Sequence, residues 1–311
     1  MFKELLDTLK SYKKITLFRH ANPDGDAIFS CLGFKQFIND NFPDKEIHIC
    51  GNDTYDINPY HEDVEDDFIK GSLGIVLDTA NLERIDDGRI NLCDKTVKID
   101  HHPPLSNYGD LNIVSKESAA CSELLTEIFC SDEFNEYEVS LKTREYLYCG
   151  ILTDSMSFTT SSTTAKTLKL AGKLVGDDIN VSLLNDYVFK VKLNEFEKIT
   201  KLRTYLKVNN RFGYLLLDEN DLKDLDMSSS DAKNNVAEFK NVEEFNIWGV
   251  IAQNEQTHLY DVSLRSRLGH QVNETAIRFG GGGHVNASGI KNLTYEQVKE
   301  LVLEISTNSI K

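Results

Sequence analysis

Short apolar runs of strand length alternate with stretches of helical spacing through the first part of the chain, and this alternation leaves few folds open. Lys14-Ile15-Thr16-Leu17-Phe18-Arg19, Glu46-Ile47-His48-Ile49-Cys50, Leu73-Gly74-Ile75-Val76-Leu77-Asp78 and Thr96-Val97-Lys98-Ile99-Asp100 read as strands. Helices are predicted over roughly residues 2–13 and 26–40, and near 118–130, 140–152 and 163–176. Strands that alternate with helices argue for an α/β domain with a parallel, doubly wound sheet. In such a sheet, sites are built at the carboxyl ends of the strands.

The polar residues expected on that edge form a distinct set. His20, Asp24 and Asp26 follow the first strand, with Asp26 near the N-cap of the next helix, and Asp78 ends the third. Asp100, His101 and His102 close the fourth, where Pro103 and Pro104 stop regular structure, and Asp154 follows an apolar helix. Taken singly, each reads as a turn or cap residue. Four separate segments converging on one sheet edge are a stronger signal. Carboxylates and imidazoles without cysteine suit hard or borderline divalent ions such as Mn²⁺ or Mg²⁺. Four aspartates and two histidines are too many for one ion that keeps open positions. They suit two ions about 3.5–4 Å apart that share a bridging aspartate, as in phosphoryl chemistry.

The texture changes within about residues 188–206. The expected organisation is a catalytic domain over 1–188, a helical linker over 189–206 and a smaller α+β domain over 207–311. Phe212 to Leu217, Ile247 to Ala252 and Tyr260 to Arg265 are strand runs, Met227 to Asp231 is a serine-rich loop or helix start, and Tyr295 to Ile305 has helical spacing. Between the last two lies Phe279-Gly280-Gly281-Gly282-Gly283-His284. Consecutive glycines let a backbone approach a phosphate closely and present several N–H donors. Arg265 can add a bidentate clamp, and His284 another donor.

A net charge of −16 disfavours long polyanions, so nucleotide substrates would be short and positive charge confined to a site. No stretch of roughly eighteen apolar residues is available to span a bilayer. The N-terminus reads as an amphipathic helix rather than a secretory signal. The six cysteines, none in a CxxC pair, are expected to be buried reduced thiols. Cytoplasmic placement without membrane contact follows as the expectation.

The motifs together resemble the DHH phosphoesterase superfamily with its associated DHHA1 domain. His20-Ala21-Asn22-Pro23-Asp24-Gly25-Asp26 is similar to its first motif, Asp78-Thr79-Ala80 to the second, Asp100-His101-His102 to the signature and Gly150-Ile151-Leu152-Thr153-Asp154 to the fourth. Phe279 to Gly289 resembles the glycine-rich box, preceded by Val262 to Ser266. The resemblance implies one metal on His20, Asp24 and Asp78, and a second on Asp26, Asp78, His101 and Asp154. Asp100 would orient a histidine, and His102 would face the phosphate as proton or hydrogen-bond donor. Arg265, Gly281, Gly282, Gly283 and His284 would bind substrate.

The two-domain size is similar to that of the bifunctional oligoribonucleases that also dephosphorylate 3′-phosphoadenosine 5′-phosphate (pAp). The expected enzyme is a phosphodiesterase using two divalent ions, Mn²⁺ first, with Mg²⁺ or Co²⁺ as alternatives. It would cut short RNA or dinucleotides such as pApA or cyclic di-AMP to 5′-mononucleotides, with no long duplex as partner, and a homodimer is open to it. The rivals are a RecJ-like single-strand DNA exonuclease, which would call for a basic channel with stacking aromatics, an inorganic pyrophosphatase and a nucleotide sensor without catalysis.

Overall fold

In the computed structural model, which describes residues 1–51, 62–103 and 106–310, the chain divides into two units, Met1–Lys190 and Val191–Lys311. Pro104, the second of the predicted chain-stopping prolines, lies outside the described residues. The first unit runs α1 (Phe2–Ser11), β1 (Lys14–Phe18), α2 (Gly25–Asn41), β2 (Glu46–Ile49), α3 (Asp66–Ile69), β3 (Leu73–Leu77), β4 (Lys95–Asp100), β5 (Leu111–Val114), α4 (Cys121–Phe129), α5 (Leu141–Asp154), α6 (Ala165–Val175) and α7 (Val181–Phe189). β5 and α7 were not predicted. β5 is only four residues long, too short for its alternation to stand out, and α7 leaves Val181 and Leu183 exposed.

The five strands pair in parallel in the order β2-β1-β3-β4-β5. β2 therefore lies on one side of β1 and β3 on the other, so the chain reverses its winding between β1 and β3. Ligand sites of open α/β sheets form at such a reversal. Strand alternation divides the side chains between the two faces. Ile15, Leu17, Ile75, Leu77, Val97 and Ile99 share a core with α2, α4 and α5. Phe18 and Val76 instead pack with Ile69, Ile85 and Ile90. Long helices cover the first face, and α3 with short turns covers the second.

Helix α2 crosses α5 closely, since a Cβ on Gly33 would come within 2.8 Å of Leu147. Phe37 of α2 stacks on Phe129 of α4 with ring centroids 3.8 Å apart. All six cysteines are free thiols, four of them buried. Cys93 and Cys130 are only partly covered, which corrects the expectation that all are buried.

The second unit comprises α8 (Leu193–Arg203), β6 (Lys207–Asn209), β7 (Phe212–Leu217), α9 (Glu219–Leu225), α10 (Ser229–Asn234), β8 (Ile247–Gln253), β9 (Tyr260–Ser266), α11 (Asn273–Arg278), β10 (Gly282–His284), β11 (Ala287–Leu293) and α12 (Tyr295–Asn308). Its sheet has the order β10-β11-β9-β8-β7-β6, antiparallel except for the parallel β7–β8 pair. One face packs Val262, Leu264 and Ile251 against Val298, Leu301 and Ile305 of α12. The other packs Leu215, Trp248 and Val250 against Leu222, Val236 and Leu202 of α8. Among the described residues no helix is long and apolar enough to cross a membrane.

Candidate metal centre

The winding reversal sets two of the predicted residues side by side. His20 lies beyond the end of β1 and Asp78 directly after β3, and both are buried. Asp78 sits at φ +53°, a left-handed conformation that non-glycine residues rarely take. Its two carboxylate oxygens face different partners. Oδ2 lies 3.7 Å from His20 Nε2, which is itself 3.8 Å from Asp24 Oδ2. Oδ1 lies 3.2 Å from His101 Nε2, which is 3.2 Å from Asp154 Oδ2. His20, Asp24 and Asp78 form one group whose ligand atoms all lie within 4.8 Å of one another, and Asp26, His101 and Asp154 form another. The six predicted ligands thus come together, with Asp78 between the two groups.

Local structure accounts for these positions. Asp24 is the N-cap of α2 and accepts from Ala27 N at 3.1 Å, and Asp26 is the second residue of the helix, near the cap as expected. Asp26 is fully buried, and its carboxylate accepts from the backbone N–H groups of Cys121 (2.5 Å) and Ser122 (3.1 Å) at the start of α4. Asp154 is the last residue of α5, not a residue beyond it. Gly150, one turn earlier, permits the approach of the helices: a Cβ there would overlap Ser122 Oγ and come within 2.7 Å of Asp26 Oδ1.

The donor set suits cations. Nδ1 of His20 lies 2.9 Å from Ala21 O and Nδ1 of His101 lies 3.3 Å from Ser118 O. A proton committed to those carbonyls leaves each Nε2 lone pair facing the carboxylates, as metal-ligating histidines require. Asp78 Oδ1 is buried and accepts no hydrogen bond among the described residues. Without cations the cluster holds protons instead. Burial raises Asp154, and Asp26, Asp78 and Asp24 push it further, to about 9. Burial, then Asp78, raises Asp26. Burial opposes the charge on His20, but Asp24 and Asp78 outweigh it and raise the imidazole to about 10. Four carboxylates and two imidazoles, with His20, Asp26 and Asp78 buried, His101 and Asp154 partly covered and Asp24 at the exposed edge, therefore match bound divalent cations.

Behind the cluster, Asp100 is fully buried. Its Oδ1 accepts from His102 Nδ1 at 2.8 Å and from His102 N at 3.2 Å. His102 Nδ1 also lies 3.6 Å from Asp78 Oδ1, so His102 completes a third cluster with Asp78 and His101. The sequence reading passed over two buried charged residues beside the site. Lys98 has no exposed surface, and its Nζ lies 3.2 Å from Asp100 Oδ2. Its signal was available, since strand residues i and i+2 share a face. Glu123, also fully buried, accepts from Ala119 N at 2.9 Å beside the Ser118 carbonyl that holds His101.

In the second unit the predicted substrate residues fall on β9 (Arg265) and on β10 (Gly282, Gly283 and His284), with Gly281 just before β10 and β11 lying between the two strands. The registers His284↔Ala287 and Ala287↔Arg265 place His284 and Arg265 in one cross-strand row, followed by Gly283↔Ser288 and then Gly282↔Gly289. Gly281 and Gly283 answer to hairpin packing: a Cβ would collide with Gly289 O or Ile290 Cα at the first, and with Ala287 O or Ser288 Cα at the second. Gly282 faces open space. The Arg265 guanidinium donates to the Leu264 carbonyl at 2.9 Å, and burial lowers its pKa.

Fold and cluster define a two-unit phosphoesterase architecture, and comparison with known proteins gives it a family. The model described as the DHH family, N-terminal domain, matches residues 14–151, and the DHHA1 domain model matches residues 211–308. A probable bifunctional oligoribonuclease and PAP phosphatase NrnA from Streptococcus mutans is 32% identical, the match covering 98% of this chain and 97% of the relative. The bifunctional oligoribonuclease and PAP phosphatase NrnA of Bacillus subtilis is 30% identical over 99% and 98%. In fold, the chain is similar to the crystal structure of an exopolyphosphatase-related protein from Bacteroides fragilis, with a TM-score of 0.83 at 22% identity over 98% of this chain and 95% of that one. The chain belongs to the DHH family, and it is a hydrolase of the phosphodiesterase class.

Proposed function

We propose that this chain is a two-metal phosphodiesterase that hydrolyses short oligoribonucleotides and dinucleotides, pApA and cyclic di-AMP among them, to 5′-mononucleotides, and that it also converts pAp to AMP. The observation that carries this reading is the split of Asp78, whose two oxygens face two separate ligand groups. His20, Asp24 and Asp78 would hold one ion, and Asp26, Asp78, His101 and Asp154 the second. Mn²⁺ is the assigned ion, with Mg²⁺ or Co²⁺ as substitutes. Bound there, the pair supplies an activated water and neutralises charge that develops on the phosphoryl oxygens.

The chain's own groups do the rest. Asp100 holds Nδ1 of His102, leaving Nε2 to meet the leaving oxygen. As the P–O bond breaks, its electron pair stays on that oxygen, which takes the proton from Nε2. Arg265, His284 and the backbone of Gly281, Gly282 and Gly283 grip a further phosphate. The acidic surface, at net charge −16, and the names of the full-length relatives support short substrates over long polyanions. We place the protein in the cytoplasm and leave a homodimer open to it.

A chromatographic time course with Mn²⁺ on pApA, a five-nucleotide RNA, pAp and a long single-stranded DNA tests the reading, with Asp78→Ala alongside. AMP from pApA and pAp, intact long DNA and an inactive variant are expected. Comparable digestion of long DNA would transfer the assignment to a single-strand exonuclease. Tight nucleotide binding without product from any substrate would leave a sensor.

A further inference from the structure

Lys98 is a lysine in the middle of a buried strand with no exposed surface. Its neighbours in β4, Val97 and Ile99, join the large helical core, so Lys98 and Asp100 share the opposite face. Nζ donates to Ala80 O at 2.7 Å and Ser106 O at 3.2 Å, and lies 4.8 Å from the centre of the Tyr108 ring. It also lies 3.2 Å from Asp100 Oδ2, an oxygen that accepts no hydrogen bond among the described residues. The other oxygen of Asp100 takes the His102 ring. A buried charge with this many fixed partners is costly to enclose. Apolar residues fill the same strand, so packing alone does not account for it.

We infer that Lys98 is a positioning residue for the hydrolytic reaction: it fixes the Asp100 carboxylate from behind, and Asp100 in turn holds the His102 ring so that Nε2 faces the leaving oxygen. The inference rests on the proposed role of His102. Lys98 acts from within the sheet, and through Ala80 O and Ser106 O it ties together the segments that follow Asp78 and His102. Without its charge, Asp100 Oδ2 is a buried carboxylate oxygen with no cation beside it, and the carboxylate is free to turn away from His102.

The test uses the full chain and two variants. Lys98→Gln removes the charge but keeps an N–H donor for the carbonyls, and Lys98→Met removes both. Turnover is measured with pApA, whose sugar hydroxyl is a poor leaving group, and with the p-nitrophenyl ester of AMP, whose phenolate needs no proton. The expected result is a kcat for pApA at least about tenfold lower, within the roughly 10²–10⁴-fold that a positioned proton donor supplies. The nitrophenyl ester should lose less than about threefold, with KM unchanged for both substrates.

A second readout needs neither metal nor turnover. In the metal-free wild type, the His102 Nδ1–H held by Asp100 should give an exchange-protected downfield proton resonance, assigned by its absence in His102→Gln. It should vanish in Lys98→Gln. Equal losses on both substrates, an unimpaired pApA rate or a persisting resonance would overturn the inference. If the wild type hydrolyses neither substrate, the functional reading fails, and the resonance alone decides whether Lys98 positions His102.

Discussion

Gly150→Ala is the sharpest single test of how the site is held. The change adds one methyl group on α5, where it would overlap Ser122 Oγ and lie 2.7 Å from Asp26 Oδ1 and 2.8 Å from Ser122 Cβ. Both neighbours are fully buried, and the backbone N–H groups of Cys121 and Ser122 clamp the Asp26 carboxylate, so little can yield except Asp26 itself, a proposed metal ligand. Overpacking costs about 1–3 kcal/mol. Replacing glycine by alanine inside a helix returns about 1 kcal/mol. The net loss of about 0–2 kcal/mol corresponds to a melting point lower by about 0–8 °C for a unit of this size. Activity should fall much further, because a misplacement of about 1 Å in a catalytic constellation costs roughly 10²-fold. Thermal melts and Mn²⁺ titrations of turnover would be run on the same preparations. A near-native melting point with kcat reduced about a hundredfold, not restored by excess Mn²⁺, is expected. Wild-type turnover in a folded Gly150→Ala protein would refute the idea that Asp26 is placed by helix packing.

Three further outcomes follow from particular residues. Met156, Ser157 and Phe158 all have positive φ (46°, 56° and 64°) just beyond Asp154, at about 1–2 kcal/mol for each non-glycine residue. Met156→Gly should gain about 0.5–1 kcal/mol after the entropy glycine adds to the unfolded chain, visible as a higher midpoint in urea unfolding. The protons that the cluster holds without metal set a pH dependence. Between about pH 6.5 and 10 the folded metal-free chain keeps the His20 proton that the unfolded chain has lost, and Asp154 likewise keeps its proton up to about pH 9, so stability falls as pH rises through this window. Mn²⁺ should expel those protons, bind more tightly as pH rises and abolish the decline. Calorimetry in two buffers of different ionisation enthalpy, with melts across pH, would reveal proton-independent binding if the premise is wrong. Finally, Arg265→Met should raise KM for pApA about tenfold to a hundredfold and leave kcat within a few fold, since a charged hydrogen bond to phosphate contributes about 1.5–3 kcal/mol. An unchanged KM would remove Arg265 from the substrate grip.

Much of the first unit was legible because its strands are buried on both faces and read as continuous apolar runs, such as Leu73 to Leu77. Once the sheet was inferred, every residue directly after a strand became a candidate, and His20, Asp78 and His101 needed no side-chain geometry to be found. Asp26 was legible as a residue of the first loop and helix start, and its depth was not. Its burial depends on the N-terminus of α4, some ninety-five residues later in the chain, and no local pattern reports that contact. The second unit was read less fully: β6 is three exposed residues, and β10 is half of a glycine hairpin, so neither shows a strand period.

Lys98 shows where pattern reading stops. In a run otherwise apolar, a lysine is ordinarily assigned to a strand end or to a solvent-facing side. Here the face opposite the helices is closed by Tyr108 and the segment after Asp78, and the lysine stays inside because two carbonyls and a carboxylate meet it there. The same sheet thus carries the candidate cation ligand Asp78 at one strand end and a fixed internal cation beneath Asp100 at the next. The two differ in what they ask of the chain. Asp78, Asp26 and Asp154 stand close enough to repel one another, and burial with that repulsion raises Asp26 and Asp154, whereas Asp100 has its countercharge built in. A carboxylate that must keep one orientation through every turnover is better served by a lysine that cannot leave than by an ion that can exchange.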